Sequence, residues 1–351
     1  MGKKRITLPA DFRELVKSGD IDLLKAVFEK CDWNATLGSY KEPALSIRQI
    51  PDELVRWLVE QGADINARDK YQRTPLHSQA GHWSGNIPLF LELGAELEAL
   101  DYQDETPLHA AVNYYRTGAI RDLIAHGANI HAVSKRGNTP LAKGLINCRN
   151  ADITGMAEIA QAMLAAGAEV TPEMRESVTK IGKNFEFSKA NFNKDYLDDT
   201  IAALDKLYKL FGVEPVAGRV MHDGVSKIEV KSTRWQDQHQ ELWEALIPGS
   251  GPALTVQGEV IRITGRISYE IMNNGGGNWD ADFRKMLSAL LLHFASGTPL
   301  DPAQLKEAAE LAGYLRHSNG NDEPARLCEL AVNWVLANPQ PVSLPQPDYK
   351  R

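Results

Sequence analysis

Five sets of side chains in this 351-residue chain have types and spacing that suggest chemistry. His77 and His109 each close a Thr-Pro-Leu-His tetrapeptide, at 74–77 and 106–109. Paired imidazoles are the usual material of general acid–base catalysis and of metal ligation. His222-Asp223 and His239 offer the same chemistry nearer the C-terminus. Glu259, Arg262, Arg266 and Glu270 recur at steps of three, four and four, which places them on one helical face. Gly275-Gly276-Gly277 presents bare backbone N–H groups of the kind that cradle phosphate. Cys31, Cys148 and Cys328 are the three thiols.

Each set has a plainer reading, and the plainer reading is favoured throughout. The chain contains no CxxC, His-x3-His or HExxH spacing, so no metal site is expected. Cys31 and Cys328 fall in apolar helical patterns and read as small core residues. The odd thiol count suits a reducing compartment. The glycine run follows no buried strand and lacks a GxGxxG context, so it reads as a helix connection. The Glu259–Glu270 stripe reads as a solvated salt-bridge ladder, each pair worth about 0.2–0.5 kcal/mol. An interdomain or partner contact is the alternative for that stripe. General acid–base work by Glu259 lacks a His or Ser at a readable position beside it. Trp235, Trp243, Trp279 and Trp334 read as core. No catalytic residue and no cofactor is expected.

The elements that carry His77 and His109 are periodic. Prolines step from 43 to 75 to 107 to 140, at intervals of 32, 32 and 33. Gly-Ala pairs begin at 62, 94, 127 and 167, at intervals of 32, 33 and 40. Thr74 and Thr106 stand where a side-chain oxygen caps a helix, and Pro75 and Pro107 follow at the first helical position. Glu42 replaces the capping Thr, so that repeat should start more loosely. The position before each motif favours a left-handed backbone. Gly137 suits it, Asp104 tolerates it, and Gln72 fits less well.

The phrases RTPLHSQA, ETPLHAAV, LVEQGADINA and LIAHGANIHA, held in fixed phase, resemble the ankyrin repeat family. That resemblance implies an all-α ankyrin repeat solenoid over 37–170, behind a degenerate capping repeat at 1–36. It also implies a divergent closing helical pair at 171–218. It assigns His77 and His109 to hydrogen bonding between adjacent repeats. From Met221 the phase is lost. Residues 219–337 read as a C-terminal helical domain, with helices over Arg234–Ile247 and Thr255–Met272, one opened at Asn278 or Asp280, one at Asp301, and one at Asn321–Pro324. A strand hairpin about Thr264-Gly265 is the alternative for the second. The Pro-rich tail, 338–351, reads as extended.

Composition narrows the partner class. The net charge of −7 argues against nucleic acid and suits a basic protein partner. No apolar run approaches the roughly 18 residues of a membrane span, and the opening MGKKRITLPADF lacks the apolar core of a secretion signal. A cytoplasmic protein is expected. The resemblance implies partner binding on the concave side, through loop tips and the starts of inner helices. By motif phase these include Tyr40, Lys70, Tyr71, Tyr102, Gln103, Lys135 and Arg136 at tips, and His82, Trp83, Asn113, Tyr114 and Tyr115 on inner helices. The stretch VQGEVIRITGRISYEIMNNGGGNWD is similar to a region of bacterial ankyrin proteins, some near toxin loci. This implies an immunity protein that binds and neutralises a toxin domain. An enzyme with a catalytic C-terminal domain, or a regulatory adaptor, are the alternatives.

Overall fold

The computed structural model describes residues 4–316 and 322–350. Its elements, in chain order, are β1 (Arg5–Thr7), α1 (Phe12–Ser18), α2 (Ile21–Lys30), β2 (Cys31–Leu37), β3 (Glu42–Pro43), α3 (Asp52–Glu60), α4 (Pro75–Ala80), α5 (Ile87–Glu92), α6 (Pro107–Asn113), α7 (Thr117–Ala125), α8 (Pro140–Asn147), α9 (Ile153–Ala165), α10 (Pro172–Ser188), α11 (Lys194–Phe211), α12 (Trp235–Leu246), α13 (Val256–Met272), α14 (Ala281–Phe294), α15 (Pro302–Leu315) and α16 (Glu323–Ala337). The chain divides into two compact units. One holds Met1–Lys183 and Lys194–Pro215, the other Asn184–Asn193 and Val216–Arg351. Asn321, one candidate start for the last helix, lies outside the described residues, as do Met1 and Gly2 of the opening.

The chain is mostly helical rather than all-α. A small three-stranded sheet, ordered β1-β2-β3, sits at the N-terminal end of the first unit. β1 runs parallel to β2, and β2 pairs antiparallel with β3 through Thr36–Pro43 and Leu37–Glu42. Cys31 is buried, but it opens a strand instead of continuing a helix. After Lys30 the chain alternates burial along Ala35, Thr36 and Leu37. Asp32, Trp33 and Asn34 are all at least partly exposed, so no strict period-two alternation marks the strand in the sequence.

Beyond the sheet, the first unit stacks like elements. A short 3₁₀ turn at Ala44–Ser46, then α4, α6 and α8, form the inner row. Outer helices α5, α7, α9 and α11 pack in succession behind it. The inner element after Glu42 is no more than that 3₁₀ turn. Pro51 disfavours a helical Ile50, so the segment cannot run on into α3. The buried Gln79 amide of the next repeat donates to the Leu45 and Ile47 carbonyls (3.0 and 3.3 Å), satisfying groups that a full helix would have paired.

Gly62, Gly94, Gly127 and Gly167 follow the outer helices with φ between 86° and 100°, a conformation that suits glycine. At the opposite turn, Gln72, Asp104 and Gly137 take φ of 60°, 56° and 77°. A side chain there costs about 1–2 kcal/mol. Gln72→Gly should therefore gain about 0.5–1 kcal/mol, after the extra unfolded-state entropy of glycine is subtracted. Urea melts of the two proteins check this.

In the second unit α13 is the central helix. It packs against α12, α14 and α16, and it is buried on most sides. Thr255 caps it, and no hairpin forms at Thr264-Gly265. Gly265 is helical, where an added methyl would fall 2.4 Å from the Trp243 ring. Asp280, not Asn278, caps α14 with bonds from the Asp282 and Phe283 N–H groups. The tail is extended and bound. Val256 donates to Val342, Leu344 to Leu254 and Ile228 to Pro339. The fully buried Gln257 amide donates to the Asn338 and Gln340 carbonyls and accepts from Val342 N–H. No helix among the described residues is long and apolar enough to cross a membrane.

Candidate functional site

The inner row of the first unit lines a groove of about 660 Å³. Its walls follow from the repeat. Each tip is tied to the previous one by a backbone bond: Lys70 to Tyr40, Tyr102 to Tyr71, and Lys135 to Gln103. Buried Asp69 accepts from the N–H groups of Tyr71 and Arg73, and buried Asp101 from those of Gln103 and Glu105. These bonds fix the tips, so the side chains at their ends are held in register. Tyr40, Tyr71 and Tyr102 consequently form a ladder, with centroids 5.5 and 5.4 Å apart. Tyr40 and Tyr102 remain about half exposed, at 55% and 48%.

Of the twelve residues that motif phase singles out, six line this groove: Tyr71, Tyr102, Gln103, Asn113, Tyr114 and Arg136. Tyr114 lies against Gly81, where a Cβ would stand 2.9 Å from its ring. Asn113 accepts from the Asn147 amide at 2.8 Å. The other six, Tyr40 and Lys70 at their tips among them, sit outside it. His82 is buried, and its Nδ1 accepts from the Ser84 N–H at 3.3 Å. Trp83 is 69% exposed in the turn between α4 and α5. The Lys135 ammonium folds back on the Tyr102 carbonyl and faces Asp104. Tyr115 takes a left-handed φ of 55°, its hydroxyl donates to the Gly144 carbonyl at 3.4 Å, and burial raises its pKa. It supports the stack and presents little surface.

Motif phase does not point to the groove's cations Arg13, Arg48, Arg73 and Lys143. Arg13 pairs with Glu42, Arg73 with Asp69 and Lys143 with Glu105. The ladder itself had a signal in the sequence: its tyrosines recur every 31 residues.

His77 and His109 are structural links. The Thr74 N–H donates to His77 Nδ1 (3.2 Å), so Nε2 carries the proton and donates to the Glu105 carbonyl of the next repeat (2.9 Å). His109 repeats the pattern with Thr106 and the Asn138 carbonyl, both at 3.1 Å. Burial lowers both pKa values. A lowered folded pKa gives stability that is present above the unfolded value of about 6.5 and lost as pH falls through the folded value. His109→Gln should flatten the loss of stability in urea melts between about pH 7 and 5, the window below the unfolded value. An unchanged slope would contradict the neutral assignment.

In the second unit the Glu259–Glu270 stripe is not a solvated ladder. Glu259, Arg262 and Glu270 are at most 5% exposed. Arg262 binds both Glu259 oxygens (2.8 and 2.6 Å), the Ala253 N–H donates to Glu259 at 3.0 Å, and the Tyr349 hydroxyl donates at 2.7 Å. The Glu270 carboxylate accepts from Asn274 and from the Asn278 N–H and amide, and so organises the glycine run around itself. A cleft of about 640 Å³ nearby is lined by Trp235, His239, Trp243, Arg266 and Tyr269. Burial lowers the His239 pKa to about 4, and its Nε2 meets the Thr264 hydroxyl at 3.1 Å. Burial pushes the Cys148 and Cys328 thiols up to about 12, far from a reactive thiolate. Trp334 is buried and donates to the Ser296 carbonyl, whereas Trp279 is partly buried and stacked on Phe283. Among the described residues no group of three or more His, Cys, Asp or Glu side chains is placed to hold a metal ion.

Family comparisons agree with this geometry. A model described as ankyrin repeats (many copies) matches residues 51–87, and one described as ankyrin repeat matches residues 103–135. No curated protein matches the chain. Residues 51–87 and 103–135 thus match ankyrin repeats, which are a protein-binding scaffold.

Proposed function

We propose that this ankyrin repeat chain is a non-catalytic binder that grips a cognate toxin domain in its groove and neutralises it by covering it. The observation that carries the binding reading is the Tyr40–Tyr71–Tyr102 ladder beside Tyr114. Half-exposed tyrosines on fixed turns bury large area at low ordering cost, which is what an interface anchor requires. The tips are already hydrogen-bonded, so little freedom is left to lose on association. A non-catalytic role is supported by the histidines of the first unit that the sequence singled out, since His77 and His109 are committed to repeat contacts. The toxin reading rests on the similarity of residues 256–280 to ankyrin proteins near toxin loci.

The test places a photo-crosslinking amino acid at position 102, and in a second protein at position 269, in native cells. Capture from position 102 of a protein whose toxicity the chain suppresses supports the proposal. Capture from position 269 alone overturns it. With the captured partner in hand, Tyr102→Ala with Tyr114→Ala should weaken binding by about 2 kcal/mol or more. The melting transition should stay nearly unchanged, because both side chains are about half exposed.

A further inference from the structure

The groove's charge says something about the partner that the chain's net charge does not. Although the chain carries −7 overall, five cationic side chains line the groove against three carboxylates. All three carboxylates are engaged: Glu42 by Arg13, Glu105 by Lys143, and Asp101 by the tip N–H groups. Arg73 is taken by Asp69. Two cations are left over. Arg48 and Arg136 are exposed and form no ion pair among the described residues.

The two sit at opposite ends of the same surface. Arg48 follows the first inner element, and Arg136 is at the tip before α8, three repeats on. Packed helices lie roughly 8–10 Å apart, so three steps cover about 24–30 Å. An extended strand rises about 3.3 Å per residue, so roughly eight residues span that distance. Tyr71, Tyr102 and Tyr114 belong to the intervening repeats and line the same groove.

We infer that the partner presents to this groove an extended acidic segment of about eight residues, with carboxylates reaching Arg48 and Arg136 and its backbone crossing the tyrosines. The inference rests on the groove being the binding face. Guanidinium is suited to paired N–H bonds with a carboxylate, and an unpaired arginine leaves that fork open. A nucleic-acid strand fits less well. Three carboxylates would face its phosphates, and the ladder rings already pack on one another, so they leave no gap for a base.

Fluorescein-labelled octaglutamate, octaserine and octalysine, and a labelled thymidine octanucleotide, are titrated by anisotropy with the full chain at low salt. Octaglutamate should bind at least tenfold more tightly than the other three. Arg48→Glu with Arg136→Glu should abolish that preference without moving the melting transition. Arg121→Glu with Lys180→Glu, both exposed, makes the same change in net charge and should leave the preference intact. Equal binding of all peptides, an equal loss in both variants, or an oligonucleotide that binds as tightly as octaglutamate would each overturn the inference. Octaglutamate without effect, alongside a partner crosslinked at position 102, sinks the acidic segment and leaves groove binding standing. Octaglutamate bound at the groove, alongside a partner crosslinked only at position 269, sinks groove binding of the partner and keeps the charge preference.

Discussion

Arg262→Ala should destabilise the second unit by about 3–5 kcal/mol, the usual cost of leaving a buried charge unpaired. Burial pushes the Glu259 carboxyl up. Arg262, with the Ala253 N–H and the Tyr349 hydroxyl, more than offsets it and holds the group below its ordinary value. Remove the guanidinium and Glu259 must either stay charged in an apolar setting or take up a proton. The companion variant, Glu259→Gln with Arg262→Met, removes both charges and should cost much less, because no ion is stranded. A pH series provides a second check. A carboxylate whose folded pKa is lowered gives stability that is present above its unfolded value of about 4.3 and lost as pH falls through the folded value. The second unit should therefore weaken below about pH 4, and the double variant should lose part of that dependence. If Arg262→Ala and the double variant melt alike, the pair contributes no more than its volume. This also bears on any test of partner binding: reversing charge along Glu259, Arg262 and Glu270 would unfold the unit rather than probe a surface.

That stripe marks where a sequence stops being informative. Spacings of three and four correctly assign α13 to a helix. Reading the charged positions as wet assumes that one side of the helix faces solvent. α13 instead has α12, α14 and α16 packed around it and the tail laid across its start. The partner that completes the Glu259 site is Tyr349, ninety positions away, on a segment whose prolines say only that it is not helical. The repeats, in contrast, are legible because each needs the same local chemistry: Thr cap, Pro at the first helical position, and a left-handed Gly after the outer helix. The sheet is harder to read, since β1 finds its partner across two helices and is three residues long. Within the groove, the tyrosines can be placed from motif phase alone. Arg48 cannot, because the curtailed inner element that positions it departs from the repeat.

Leu108→Ala should cost the first unit about 2–5 kcal/mol, the range for a buried leucine whose cavity only partly collapses. Leu108 is 1% exposed in α6, which packs between α4 and α8. Its neighbours on the same helix, Ala111 and Val112, are also fully buried, and the Val112 methyl already reaches to where a Cβ on Gly144 would stand, 2.5 Å away. Movement that filled the cavity from that side would have to shift α8 as well, so the loss should fall in the upper part of the range. A stack of repeats transmits such a loss, because no repeat buries its apolar face alone. Tyr102→Ala at the adjoining tip is the matched comparison. It removes a larger side chain, but one about half in water, and should change the urea midpoint little. Equal shifts for the two would mean that the tip tyrosines hold the stack together. They would then be unavailable to a partner, and the groove would lose the anchors on which its binding role depends.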